Sequence, residues 1–322
     1  MERFLVTGGC GFIGTNLVEY LLENTKGKIT VLDDLSQGKL EYLEAIDNYS
    51  EQRVDFIEGD IRDEDAVDDA VDDHTHIIHL AAQTDVIYST KNPKEDADIN
   101  IFGTINLLDK AVERNVERFV FASSVAPLGD QEMPIDEEKV PEPLSPYGAS
   151  KLACEGYCSS YSANQDLQTI ALRFSNVYGP KSWHKGAVIS RFIKQILDGK
   201  TPTIFGDGGQ TRDFIHTRDI SQALHLSCTE GFEKDFELFQ IGTGKETSIN
   251  ELYSRLKTKL ESKGIDVPEA DHGERRDGEI YRNYTDITKA KEKLGYEPQV
   301  TLDQGLDETI DWFLNDHRNF ET

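Results

Sequence analysis

Arg3-Phe-Leu-Val-Thr-Gly-Gly-Cys-Gly-Phe-Ile-Gly14 decides the fold. A short apolar run reads as a strand and passes straight into Gly8, Gly11 and Gly14, after which helical spacing begins. Glycine suits all three places for physical reasons. The turn is tight, the backbone must approach a pyrophosphate closely, and the helix must pack close to the strand with its positive end on the phosphate. A lone glycine motif is weak evidence, but this one lies directly between a strand and a helix, which is the context the motif needs. It predicts a dinucleotide site built on Gly8, Gly11, Phe12, Ile13 and Gly14.

Working outward, Lys28–Leu32 reads as a second strand, and Asp33 ends it nineteen residues after Gly14. An acid there accepts hydrogen bonds from ribose hydroxyls and repels a 2′-phosphate, which points to NAD over NADP. Further strands are expected at Asp55–Glu58, His76–Leu80, Arg118–Ala122 and Thr169–Arg173. Asp60 and Ile61 follow the third strand and are placed at the adenine edge. Leu80, Ala81 and Ala82 follow the fourth, small residues where the cofactor backbone comes close. In Glu64–Asp73 the apolar residues recur with a helical period and leave the acids facing water. Strands alternating with helices give an α/β fold, a doubly wound parallel Rossmann sheet with right-handed crossovers. After Val177 the pattern becomes irregular, with glycine clusters at Tyr178-Gly179-Pro180 and Phe205–Gly209 and a helix at Ile249–Ser262. The reading is a cofactor domain over 1–176 and a smaller mixed α/β substrate lobe over 177–322, with some chain exchange between them.

The chain has 322 residues, 37% hydrophobic and 29% charged, enough for a sizeable core. The net charge of −26 excludes nucleic acid and anionic membranes as partners. An anionic substrate would then need local cations. No apolar run is long enough to span a bilayer and no signal-peptide layout is present, so the expected location is the cytoplasm. The cysteines Cys10, Cys154, Cys158 and Cys228 form no Cys-x-x-Cys pair and read as reduced packing thiols. No metal site is expected: the acidic run is a solvated helix face, and the histidines have no ligand spacing.

Tyr147 and Lys151 stand four apart after Pro146, on one face of a helix. A phenol with a free pKa of about 10 is a poor base at neutral pH. A lysine ammonium and an oxidised nicotinamide nearby would favour its phenolate. With Ser123-Ser124 after a strand and the glycine loop, the pair forms a catalytic constellation. On these motifs, together with Leu80-Ala81-Ala82, Arg173-Phe-Ser-Asn-Val-Tyr-Gly-Pro180, Phe205–Phe214 and Leu294-Gly295-Tyr296, the chain resembles the extended short-chain dehydrogenase/reductases, the NAD-dependent epimerase/dehydratase family, over essentially its whole length.

The resemblance implies a tightly held NAD and a nucleoside-diphosphate sugar, with UDP-sugars foremost. Tyr147 would be the base, and Lys151 would hold its pKa down and bind the nicotinamide ribose. Ser124 would hydrogen-bond the sugar 4-hydroxyl, and Asn100 and Ser123 would belong to the cofactor site. Dehydrating relatives resemble Thr-Asp-Glu where this chain has Ser124-Val125-Ala126, and decarboxylating ones Thr-Ser-Glu. Valine and alanine move no protons, so 4-epimerisation is the expected reaction. Epimerisation of a glucuronate, or reduction of a keto-sugar, stays open, as does an NAD-binding regulator without activity. Pro127-Leu128-Gly129 and Ser175 depart from the family pattern beside the nicotinamide. Asn176, Arg212 and Arg276 are expected at the diphosphate, Phe205 against the uracil, and Lys185 in a loop over the sugar. Asn283, seven residues after Arg276, is expected to close the sugar pocket and leave room for an N-acetyl group. Helices around Ile99–Glu113 and Tyr147–Ala163 would pair in a homodimer.

Overall fold

The computed structural model describes residues 2–47, 49–182, 186–275 and 280–315. All six expected strands are present: β1 (Arg3–Thr7), β2 (Lys28–Asp33), β3 (Val54–Glu58), β4 (His76–His79), β5 (Arg118–Ser124) and β6 (Gln168–Phe174). A seventh, β7 (Phe236–Ile241), was not expected and lies at the edge beside β6. The sheet order is β7-β6-β5-β4-β1-β2-β3, and every pairing is parallel. The chain moves outward from β1 to β3 and returns on the other side as β4. This reversal opens a crevice at the carboxyl ends of β1 and β4, the place where open α/β sheets bind ligands.

Both faces of the sheet are covered, which is why its strands read as near-continuous apolar runs. Phe4 and Val6 of β1 face one core, with Leu17 and Leu21 of the helix Phe12–Asn24 and Ile220 and Leu224 of the helix Thr217–Thr229. Leu5 faces the other, with Val67, Leu107, Leu108, Cys154 and Cys158. All four cysteines are buried and unpaired by disulfides. A third core joins the helices Val188–Leu197, Ile249–Ser262 and Leu302–Asn315 of the smaller lobe. The exchange between halves is substantial. The segment from Ile215 to Ile241 and the stretch Ile287 to Tyr296 pack into the first core, where Tyr296 is fully buried and its hydroxyl donates to Gly242 O at 2.9 Å. No described helix is long and apolar enough to cross a membrane.

Two helical segments position the site. The helix Pro146–Asn164 starts at Ser145, whose hydroxyl accepts from Gly148 N at 3.1 Å, with proline in its first turn. Before the helix Gly103–Glu113 runs one wider π turn, Asp98–Phe102, which turns Asn100 inward.

Candidate active site

The glycine loop fits a dinucleotide phosphate. Gly8 has φ +70°, and a Cβ there would lie 2.7 Å from Ala81 N. A Cβ on Gly14 would collide with Gly8 O, so neither site admits a side chain. Gly11 caps the helix Phe12–Asn24 with no side chain, which leaves the first-turn N–H groups to an anion. Asp33, 7% exposed, accepts from Cys10 N and from Leu35 N, each at 2.9 Å. Burial raises its pKa, and those two N–H groups oppose the rise.

Gly11, Asp33, Asp60, Ile61, Ala81 and Ala82 line one crevice at the strand ends, together with Gln83 and Tyr88. Gly8 and Gly14 shape the turn beneath it. Leu80 holds the loop through its N–H to Thr7 O at 3.1 Å. Thr84 links this crevice to a second cleft of about 440 Å³. Phe12, Ile13, Ser123, Ser124, Tyr147, Asn176, Phe205 and Arg212 line that one.

The catalytic constellation meets there. Burial pushes the Tyr147 phenol up to about 12; the Ser124 hydroxyl opposes the rise by hydrogen bonding, and Asp96 adds to it. Lys151 follows Tyr147 one turn along the same helix. It lies 3% exposed beneath, donates from Nζ to Ala122 O at 2.9 Å and stands 4.7 Å from the centre of the Phe121 ring. Burial lowers its own pKa, against the charges of Asp96 and Glu155. Ser124 is the described side chain whose hydrogen bond opposes the rise of the Tyr147 phenol. Ser123 donates to Glu155 Oε1 at 2.5 Å, and Arg173 meets the same carboxylate from Nε and Nη2 at 2.8 and 2.7 Å. This buried pair ties the helix of Tyr147 to β5 and β6.

Asn100, 2% exposed, lies behind the crevice, and its side chain holds Gln83. Asn283 is 6% exposed, its Oδ1 has no hydrogen-bond partner, and it does not line the cleft. Arg276 and Lys185 lie outside the described residues. Among the lining residues that escaped the sequence reading is a cation, Arg191, whose guanidinium stands 5.5 Å from the centre of the Phe205 ring. The signal was available, since it is the one charge among the apolar residues of Val188–Ile193. No cluster of metal-ligating side chains occurs among the described residues.

The family model described as GDP-mannose 4,6 dehydratase matches residues 5–309. A UDP-glucose 4-epimerase of Mycolicibacterium smegmatis is 36% identical over 318 residues, covering 97% of this chain and 99% of that protein. Two solved structures superpose closely. A UDP-N-acetylglucosamine 4-epimerase from Methanobrevibacter ruminantium, in complex with UDP-N-acetylmuramic acid, has a TM-score of 0.89 at 33% identity, covering 97% of this chain and 98% of its own. The UDP-glucose 4-epimerase of Thermus thermophilus in complex with NAD has a TM-score of 0.86 at 33% identity, with 98% and 99% covered. With its glycine loop, its Ser124–Tyr147–Lys151 constellation and these matches along nearly its full length, the chain belongs to the extended short-chain dehydrogenase/reductases of the GDP-mannose 4,6-dehydratase type.

Proposed function

We propose that the protein is an NAD-dependent 4-epimerase of UDP-sugars. The observation that carries this is the composition of the cleft. Among its described lining residues Tyr147 stands beside Ser124, and no aspartate, glutamate, histidine or cysteine lines it. Dehydration needs a second proton-moving group, and Val125 and Ala126 supply none.

NAD, when bound, supplies a reversible two-electron oxidation at C4. The chain's own residues do the rest. Ser124 hydrogen-bonds the 4-hydroxyl, and Tyr147 takes its proton. Lys151 binds the nicotinamide ribose. Arg212, with Asn176 and Arg276, grips the diphosphate, where forked guanidinium donors meet two oxygens at once. With the substrate anchored at its diphosphate, the 4-keto sugar is free to present its other face. Tyr147 then gives the proton back to the oxygen as the hydride removed from C4 is returned to that other face, which leaves the inverted 4-hydroxyl. The arginines in the cleft also answer how a chain of net charge −26 holds an anion.

The working form we propose is a cytoplasmic homodimer. Ile87, Phe102 and Tyr157 are 64%, 60% and 39% exposed beside the two helices expected to pair, and apolar exposure of this kind marks interfaces. Incubating the purified protein with a panel of UDP-sugars and separating the epimers tests the function. Formation of a C4 epimer without net consumption of NAD supports it. Steady consumption of added NADH with a keto-sugar, and no epimer, would make the protein a reductase instead.

A further inference from the structure

The catalytic helix begins on a hydrogen bond that it does not supply itself. The first N–H groups of a helix have no carbonyl partner within it. Pro146 has no N–H, Gly148 N donates to the Ser145 hydroxyl at 3.1 Å, and Ala149 N donates to Ser145 O at 3.0 Å. That leaves the N–H of Tyr147. It donates to Ser89 Oγ at 3.2 Å, on the helix Val86–Lys91, 58 residues earlier in the chain. Ser89 is fully buried, and its hydroxyl donates to Val86 O at 2.8 Å. With its proton committed there, the oxygen turns a lone pair to Tyr147.

The carbonyl of the same residue is held from the same direction. The Ser150 hydroxyl donates to Tyr147 O at 3.0 Å and accepts from Asn100 Nδ2 at 3.1 Å. Asn100 in turn accepts from Gln83 N at 2.8 Å and donates to Gln83 O at 3.0 Å. Gln83 and Tyr88 line the cofactor crevice. The backbone of Tyr147 is thus tied, directly at its N–H and through Ser150 at its C=O, to the stretch 83–100 that borders the cofactor site. We propose that Ser89 is a positioning residue: it fixes the start of the catalytic helix against the cofactor loop and so sets where the Tyr147 oxygen stands. Only the kinetic arm of its test rests on the epimerase reading.

The lever is long. The reacting oxygen stands at the far end of the tyrosine side chain, so tilting the first turn by about 10° displaces it by about 1 Å, and a misplacement of that size can cost about 10²-fold in rate. Ser89 itself lines neither the crevice nor the cleft, so its loss should leave binding intact. In Ser89→Ala, kcat is expected to fall about tenfold or more, with KM for the UDP-sugar and Kd for NAD within about threefold of wild type. Ser89→Thr keeps the hydroxyl and is expected to recover most of that loss. A serine with a purely structural role would lower the folded fraction and leave kcat per folded molecule unchanged. A kcat within about twofold of wild type in Ser89→Ala, or a threonine variant no faster than the alanine one, overturns the proposal.

A second arm reads the bond itself and needs no substrate. In the NAD-bound protein, isotope-labelled at tyrosine nitrogen, the Tyr147 amide is the NMR signal missing from Tyr147→Phe. Its hydrogen exchange is expected to be at least about tenfold faster in Ser89→Ala, while the amides of Tyr157 and Tyr161, further along the same helix, keep their rates. A Tyr147 amide that exchanges as slowly as in wild type overturns the proposal, whether or not the protein epimerises anything. If the amide responds but the wild type leaves every UDP-sugar unchanged, the epimerase reading falls and the hold of Ser89 on Tyr147 stands. If Ser89→Ala does not fold, Ser89→Cys, whose sulfur is a weak acceptor, is read in its place.

Discussion

Arg173→Met should cost about 3–5 kcal/mol of folding stability, the size expected when one partner of a buried ion pair is removed. Arg173 and Glu155 are 2% and 5% exposed. The guanidinium makes two charge-assisted bonds to the carboxylate, at 2.8 and 2.7 Å. At about 1.5–3 kcal/mol each, these together are worth about 3–6 kcal/mol. Methionine keeps part of the packing of the arginine stem, which trims the upper end. After the change Glu155 retains one donor, Ser123 Oγ. The penalty is mainly that of a stranded carboxylate, so removing it too should recover most of the loss. Arg173→Met/Glu155→Met is therefore expected to unfold close to wild type. Urea unfolding followed by circular dichroism, on wild type, both single variants and the double, yields the coupling energy directly. A single-variant loss below about 1 kcal/mol, or a double variant no more stable than Arg173→Met, refutes the reasoning.

Four shorter predictions concern the site and the core. Tyr147→Phe should lower turnover by about 10²–10⁴-fold while calorimetry shows NAD still bound; a variant keeping a tenth of the rate would assign the proton transfer elsewhere. NAD should bind more tightly than NADP because Asp33 ends β2 at the crevice, and competitive calorimetry showing equal affinity would remove Asp33 from that role. Burial pushes His79 down to about 3 and His216 down to about 4, so both stay neutral in the fold while the unfolded chain takes up protons below about pH 6.5. Stability should then fall as pH drops from about 6.5 toward 4, by about 1.4 kcal/mol per unit for each histidine, and His79→Gln should flatten that slope in pH-dependent denaturation. Asn283 is buried outside the cleft lining, so Asn283→Ala should leave the ratio of kcat/KM for UDP-N-acetylhexosamines to that for UDP-hexoses unchanged, and a shift of that ratio by about tenfold or more would return Asn283 to the sugar pocket.

Much of the sheet was legible because both its faces are covered and most of its strands read as near-continuous apolar runs. β7 broke that rule. Glu237 is 4% exposed but is ion-paired by Lys289 and Lys293, at 2.9 and 3.4 Å, and Gln240 is fully buried. Two polar residues in a six-residue strand erased its signal, and their partners are distant in sequence. The glycine loop and the Tyr147–Lys151 spacing could be read because each is a local demand, one on backbone space and one on helix geometry. Asp96 could not, since in sequence it is one acid among sixty and only the fold turns it inward. The influence of Ser124 on Tyr147 was hidden for the same reason, arising where a strand end meets a helix start.

The edge strand β7 ties the history of the chain to its architecture. It reaches its place beside β6 only after the whole intervening segment has been made. While the ribosome is still short of Ile241, the nascent sheet presents the bare edge of β6, a row of unpaired amides and carbonyls open to any passing strand. A chain ending at residue 176 would lack that edge strand and the two later helices, Thr217–Thr229 and Thr288–Leu294, that cover the first core. The converse also holds for the finished molecule. A break in the chain between the two halves would not release two pieces, because the downstream piece carries a strand and two helices of the upstream core. The nicked protein would migrate as one particle until a denaturant parted it.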